Sequence, residues 1–194
     1  MKKILTLTAA LLLALSLTPE ASAAFDAQTD YMAVMISAAA SGDTAAGRQA
    51  QRSRNEKIDA LSLNNTKIDF DDMLLLARVM YNEAGSDWLS DEWKMAVGEV
   101  VLNRVASPEF PNSIYEVIAQ PRQYGNLAYS SLRPSERCVK LAVNLLAGAR
   151  VLNEPSVVFQ SNFVQGSGVY RVFYDRLLGA TYLCYSSYRW LYEG

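Results

Sequence analysis

The stretch DFDDMLLLARVMYNEAG, Asp69 to Gly85, decides the fold. Asp69, Asp71 and Asp72 suit an N-cap and first helical turn, where carboxylates meet free backbone N–H groups and the positive end of the helix dipole. Leu76, Val79, Met80 and Glu83 follow at i, i+3, i+4 and i+7, one face of a helix, and Gly85 fits the position just past its end. The pattern predicts an amphipathic helix whose apolar stripe is extended by a carboxylate. A carboxyl group in a dry setting at the negative end of the dipole is pushed toward its protonated form, which is what a general acid needs. The alternative is a Glu83 that turns outward or pairs with Arg78 as a structural contact.

Downstream, Ser90 with Asp91 and Glu92 opens a second helix that runs to Ala106, before Ser107 and Pro108 stop it. Trp93, Val97, Val100, Val101 and Val105 form one stripe and Met95 and Leu102 another, so this helix is expected to be central and mostly buried. Ser113 and Glu116 match a capping box that opens a short helix ending near Pro121. A fourth helix follows Pro134, with Cys138, Leu141, Ala142, Leu145, Leu146 and Ala149 as its core face. Beyond Pro155 the texture turns β-branched and aromatic: Val157 to Phe159, Val169 to Tyr174, and Thr181 to Tyr185, separated by turn residues at 166–168 and Gly179. The fold class is therefore α+β, a predominantly helical lobe with a small antiparallel β lobe.

Upstream, residues 25–63 are rich in Ala, Gln, Arg and Ser, with Gly42 and Asp43 interrupting two helical stretches. Tyr31, Met35 and Ala38 mark one thin apolar stripe, and Ile58 and Leu61 end another. They read as a helical arm: either a solvated spacer or loosely docked hairpin, or a helix that binds a protein partner or an extracellular surface. Lys2 and Lys3, an apolar run to Leu17 and the small residues Ala21, Ser22 and Ala23 have the form of a secretory signal peptide cut after Ala23. The apolar run is too short for a comfortable membrane span, so an exported protein without stable membrane insertion is expected. The expected organisation is a signal peptide at 1–23, an arm or linker at 24–65 and a catalytic domain at 66–194.

The formal net charge is −2, with acids and bases interspersed, so no basic stripe points to nucleic acid. Histidine is absent, which removes Ser-His-Asp and Cys-His catalysis and the His-containing zinc sites. Chemistry by carboxylates is left, with no cofactor or metal required. Cys138 and Cys184 are the two cysteines; an oxidising exterior permits a disulfide between them, and two buried unlinked thiols are the alternative.

Three segments in combination resemble the SleB/CwlJ family of cell wall hydrolases. They are Tyr81-Asn82-Glu83-Ala84, the run from Ala96 to Val105, and Pro108 to Ile114 with Val117, Ile118 and Gln120. The resemblance is strong from about Leu74 to Tyr124 and weaker to about Tyr185. It implies a lysozyme-like helical lobe with a small β lobe, peptidoglycan as substrate, and Glu83 as the catalytic acid. Toward the end the chain departs from the family: Gly179-Ala180-Thr181-Tyr182 stands in place of a Gly-Asn-His-type segment, and Phe159-Gln160-Ser161 in place of a Phe-Tyr-Asn-Pro-like stretch.

Glycosidases generally pair two carboxylates, and Glu99 on the buried second helix is the candidate for the second, while Asp87 lies in the loop just after Glu83. A hydrogen-bonded structural carboxylate is the alternative for Glu99. The family resemblance implies a single-acid route, a lytic transglycosylase that leaves 1,6-anhydromuramic ends. Its rivals are a two-carboxylate muramidase and a non-catalytic peptidoglycan-binding module. Aromatic faces and amides bind sugars, and Tyr81, Gln120, Tyr124, Gln160 and Tyr185 are the expected contacts, each of which could equally be packing. Asn103 and Arg104 are expected to brace the central helix. The expected location is secreted or associated with the cell wall.

Overall fold

The computed structural model describes residues 19–62 and 66–192. Most of the signal-peptide segment and the start of the linker at Asn64 and Asn65 lie outside the described residues. Six α-helices and three strands are present among those described: α1 Pro19–Ser41, α2 Thr44–Ala60, α3 Phe70–Ala84, α4 Asp91–Ala106, α5 Ile114–Ala119, α6 Glu136–Leu146, β1 Val157–Ser161, β2 Val169–Asp175 and β3 Gly179–Tyr185. The fold is α+β and helix-dominated, as the patterning required. No helix among the described residues is long and apolar enough to cross a membrane.

Each helix begins where its cap residue stands. The Asp69 carboxylate accepts the N–H groups of Asp71 and Asp72, Ser90 caps α4 through Trp93 N–H, Ser113 caps α5 through Glu116 N–H, and Ser135 caps α6 through Cys138 N–H. Such caps contribute about 1 kcal/mol each by satisfying donors that no helix can satisfy internally. Phe70, Met73, Leu76, Val79 and Met80 of α3 are wholly buried and form the middle of one core with α4, α5 and α6. Gly98 of α4 lets α3 and α6 come close: a Cβ there would stand 2.6 Å from Leu145 Cδ1 and 2.9 Å from Met80 Sδ.

The three strands form one antiparallel sheet in the order β1-β3-β2. A smaller apolar cluster of Ala96, Val100, Leu152, Val157 and Leu183 seats it on α4, and Trp93 stacks on Phe173 with ring centroids 5.2 Å apart. Polar side chains of α4 complete the joint. Asn103 Nδ2 donates to the carbonyls of Glu154 and Val157, each at 3.0 Å, and Arg104 Nε donates to that of Val158 at 2.6 Å. Both residues brace the central helix, as expected.

The arm differs from expectation. Helices α1 and α2 are not a solvated spacer: Met35, Ala38, Ala39 and Ala50 are buried in the same core as Phe70 and Met73. The stripe looked thin because it is made of small residues, yet small residues let helices approach closely. A Cβ on Gly47 would lie 2.1 Å from the Phe70 ring, so only glycine admits that contact. Polar pins then fix the register. Arg48 forks onto Asp71 at 3.0 to 3.2 Å, Gln51 accepts Phe70 N–H at 2.7 Å and donates to Asp69 at 3.0 Å, and Arg54 donates to the Thr66 carbonyl at 3.1 Å.

Candidate active site

Glu83 occupies the last turn of α3, where the helical lobe meets the sheet. Its side chain is exposed, and Asn82 Nδ2 donates to its Oε1 at 2.9 Å. The apolar surroundings expected for it are therefore absent. The stripe of α3 is buried as far as Met80, but one turn later the helix runs out of the core and its face opens on a cleft.

That cleft has three lobes, and Glu83 is the residue common to all of them. The first, of about 720 Å³, lies between Tyr81, the 84–88 loop, Ser135 and Leu178. The second, of about 560 Å³, is walled by Gln123, Tyr124, Asn126, Tyr129 and two serines. The third, of about 320 Å³, reaches the sheet at Gln160, Ser161, Asn162 and Thr181. Amides, hydroxyls and aromatic rings surround Glu83, with Asp87 as a second carboxylate on the first lobe, a lining suited to a polar ligand with apolar faces.

The loop after Glu83 is held from beneath. Lys94 is buried on α4, and its ammonium donates to the carbonyls of Ala84 and, at 2.7 Å, Ser86; burial pushes its pKa down. Arg137 donates to the carbonyls of Asp87 at 2.7 Å and Leu89 at 3.1 Å and to Asp91 at 2.7 Å. On the second lobe Arg104 does similar work. Its Nη1 donates to Gln123 Oε1 at 2.8 Å, and its guanidinium lies 5.1, 5.3 and 5.9 Å from the rings of Phe110, Tyr124 and Phe159. Tyr124 is buried with its hydroxyl unpartnered, and burial pushes its pKa up, with Arg104 opposing and Glu83 adding to the rise.

Of the expected sugar contacts, Tyr81, Tyr124 and Gln160 each share a lobe with Glu83. Gln120 and Tyr185 line none of the three. Gln120 is the C-cap of α5, its Oε1 buried without a partner. Tyr185 ends β3 four residues beyond Thr181, roughly 13 Å along an extended strand; it packs edge-on against Tyr170, with the Arg189 guanidinium 4.1 Å from its ring. Asn82, Trp88, Gln123 and Thr181 were missed. Asn82 stands in the motif that singled out Glu83, and a tryptophan in a turn-forming stretch was the signal for Trp88.

Glu99 is taken up elsewhere. It is 1% exposed, and its carboxylate accepts the N–H groups of Val151 at 2.6 Å, Leu152 at 3.0 Å and Asn153 at 3.3 Å, holding the strand entry to α4. Glu99→Gln keeps one acceptor oxygen and turns an amide N–H₂ toward N–H groups. Unfolding in urea should show a loss of about 1–3 kcal/mol, with cleavage retained by the folded fraction; a folded but inactive variant would give Glu99 a catalytic part. The cysteines are not bonded: Cys138 lies in the helical core and Cys184 on the central strand, both buried and free. Burial pushes the Cys138 thiol pKa up, as for an inert core residue.

Residues 90–170 match the sequence profile described as Cell Wall Hydrolase, a span that begins after Glu83. A spore cortex-lytic enzyme of Bacillus cereus is 35% identical over 80 residues, which is 40% of this chain and 30% of that protein. The spore cortex-lytic enzyme of Bacillus subtilis strain 168 is 33% identical over 79 residues, 40% of this chain and 25% of that protein. The chain thus aligns with less than a third of the length of these relatives. The crystal structure of the catalytic domain of the Bacillus cereus SleB protein superposes with a TM-score of 0.46 and 24% identity, covering 63% of this chain and 96% of that one. The span that matches the Cell Wall Hydrolase profile takes in α4, α5, α6 and β1, and it is to this family that the chain is similar.

Proposed function

We propose that the protein degrades peptidoglycan by cleaving its glycan strands, with Glu83 as the single acid and base of a lytic transglycosylase. The observation that carries this reading is the place of Glu83 at the meeting point of three polar lobes. Among the described residues Glu83 is the only carboxylate that lines the second and third lobes, and Asp87 is the only other that lines the first. Glu99, engaged by three backbone N–H groups, is withdrawn from the role of partner.

In the proposed reaction the Glu83 carboxyl gives its proton to the glycosidic oxygen as the bond to the muramyl C1 breaks. The resulting carboxylate takes the proton of the muramyl 6-hydroxyl as that oxygen attacks C1. One acid thus serves twice and no water is consumed. A strand lying in the cleft supplies the dry surroundings that the free protein lacks at Glu83, because it covers the exposed end of α3. Residues 66–194 carry the chemistry in this reading, with the α1–α2 hairpin as their brace, and the natural setting is the wall or the spore cortex outside the membrane.

Mass spectrometry of fragments released from purified wall tests the reading. Muropeptides lighter by one water than hydrolysis products are expected, as an anhydro end requires. Reducing muramic acid as the main product would give the muramidase reading instead, and an intact wall with bound protein would leave a binding module.

A further inference from the structure

The Trp88 indole has no part in the core and 61% of its surface is open, yet it is fixed at three levels. Its Nε1 donates to Asp175 Oδ2 at 3.2 Å, across from the 84–89 loop to the tip of the β2–β3 hairpin. Asp175 is itself anchored, since its Oδ1 accepts the N–H groups of Leu177 at 2.8 Å and Leu178 at 3.0 Å. These backbone bonds, with a smaller contribution from Trp88, hold the Asp175 carboxyl below the usual carboxylate range. Beneath the loop, Lys94 and Arg137 hold the carbonyls of Ala84, Ser86, Asp87 and Leu89.

A surface tryptophan with nothing to do would be expected to swing freely. This one has its only donor engaged, so what remains for a ligand is the ring, and it lines the lobe that also holds Glu83, Tyr81 and Leu178. A large aromatic surface beside polar groups matches a pyranose, whose axial C–H bonds make one face apolar while its hydroxyls and N-acetyl group point to the rim. The clamp also joins the helical lobe to the sheet, so it sets the width of the cleft on this side.

We propose that Trp88, clamped by Asp175, is a stacking platform that binds one N-acetylated pyranose of the strand on the Leu178 side of Glu83. This rests on the reading of the cleft as a glycan-cleaving site. Rigid aromatic anchors of this kind commonly dominate binding energy, because they bury much area with little entropy to lose.

The test uses the full chain carrying Glu83→Gln, which binds without turnover, titrated calorimetrically with a peptide-free tetrasaccharide of alternating N-acetylglucosamine and N-acetylmuramic acid. Adding Trp88→Ala should weaken binding by roughly tenfold or more, with the thermal midpoint unchanged. Trp88→Phe should recover only part of the loss, because it restores an aromatic face but gives up the hydrogen bond to Asp175. Undiminished affinity in the alanine variant overturns the platform. A phenylalanine variant as strong as the parent overturns the clamp, because it would show that the hydrogen bond to Asp175 has no part in binding. Wall cleavage by protein with Glu83 intact, measured in parallel, separates the two readings: cleavage with undiminished tetrasaccharide binding by Trp88→Ala sinks the platform alone, whereas absence of both cleavage and binding in the parent sinks both.

Discussion

Glu83→Gln should lower glycan cleavage by about 10²-fold or more while leaving the unfolding midpoint where it stands. The two halves have separate causes. Loss of a positioned general acid typically costs about 10²- to 10⁴-fold, since the amide fills the same volume but has no proton to give the departing oxygen. Stability is spared because the side chain is exposed and its one hydrogen bond, from Asn82 Nδ2, can be accepted equally by an amide oxygen; exposed substitutions of this kind usually fall within about 0.5 kcal/mol. Release of soluble fragments from purified wall and a thermal melt would be measured on the same preparation. More than about a tenth of the parent rate in the variant would remove Glu83 from the mechanism.

Deleting the hairpin, by starting the chain at Thr66, should cost far more in stability than a spacer would. The cut uncovers Ile68, Phe70 and Met73, which are buried in a cluster that includes Met35, Ala38, Ala39 and Ala50. It also strands Asp71 and Phe70 N–H, which have lost Arg48 and Gln51. At about 1.5–3 kcal/mol for each large apolar side chain returned to water, the loss is about 5 kcal/mol or more, comparable with the whole stability of many domains. For a domain of this size that is a fall of about 10–20 °C in the midpoint, accompanied by aggregation through the bared face. A truncated protein that melts with the full chain would restore the arm to the status of an appendage. If it is folded but fails to sediment with whole wall, targeting would be its role instead.

Most of the framework was legible in the primary sequence because it follows local rules. Asp69, Ser90, Ser113 and Ser135 are caps by their own side-chain chemistry, and the 3.6-residue stripe of α3 and the β-branched and aromatic run of β3 were read within a residue or two of their observed ends. Glu83 was singled out from its place in the stripe and from the motif around it, but the exposed setting of its side chain was not foreseen. The match of residues 90–170 to the Cell Wall Hydrolase profile agrees with the resemblance read from those motifs.

Only the tertiary structure decided what depends on contacts between distant segments. The Ala-rich arm gave only a thin hint of docking in Met35 and Ala38, because close approach through Gly47 and Ala50 leaves few large apolar residues to notice. Glu99 could be read as acid or brace until the backbone of Val151 to Asn153 was seen to converge on it. Gln120 and Tyr185 fell away from the cleft, while Trp88 and Asp175, far apart in the chain, met across it. A sequence specifies helix faces and caps through neighbours three or four residues away. Which exposed side chains share a cleft is set by how those helices and the sheet pack, and no local pattern carries that information.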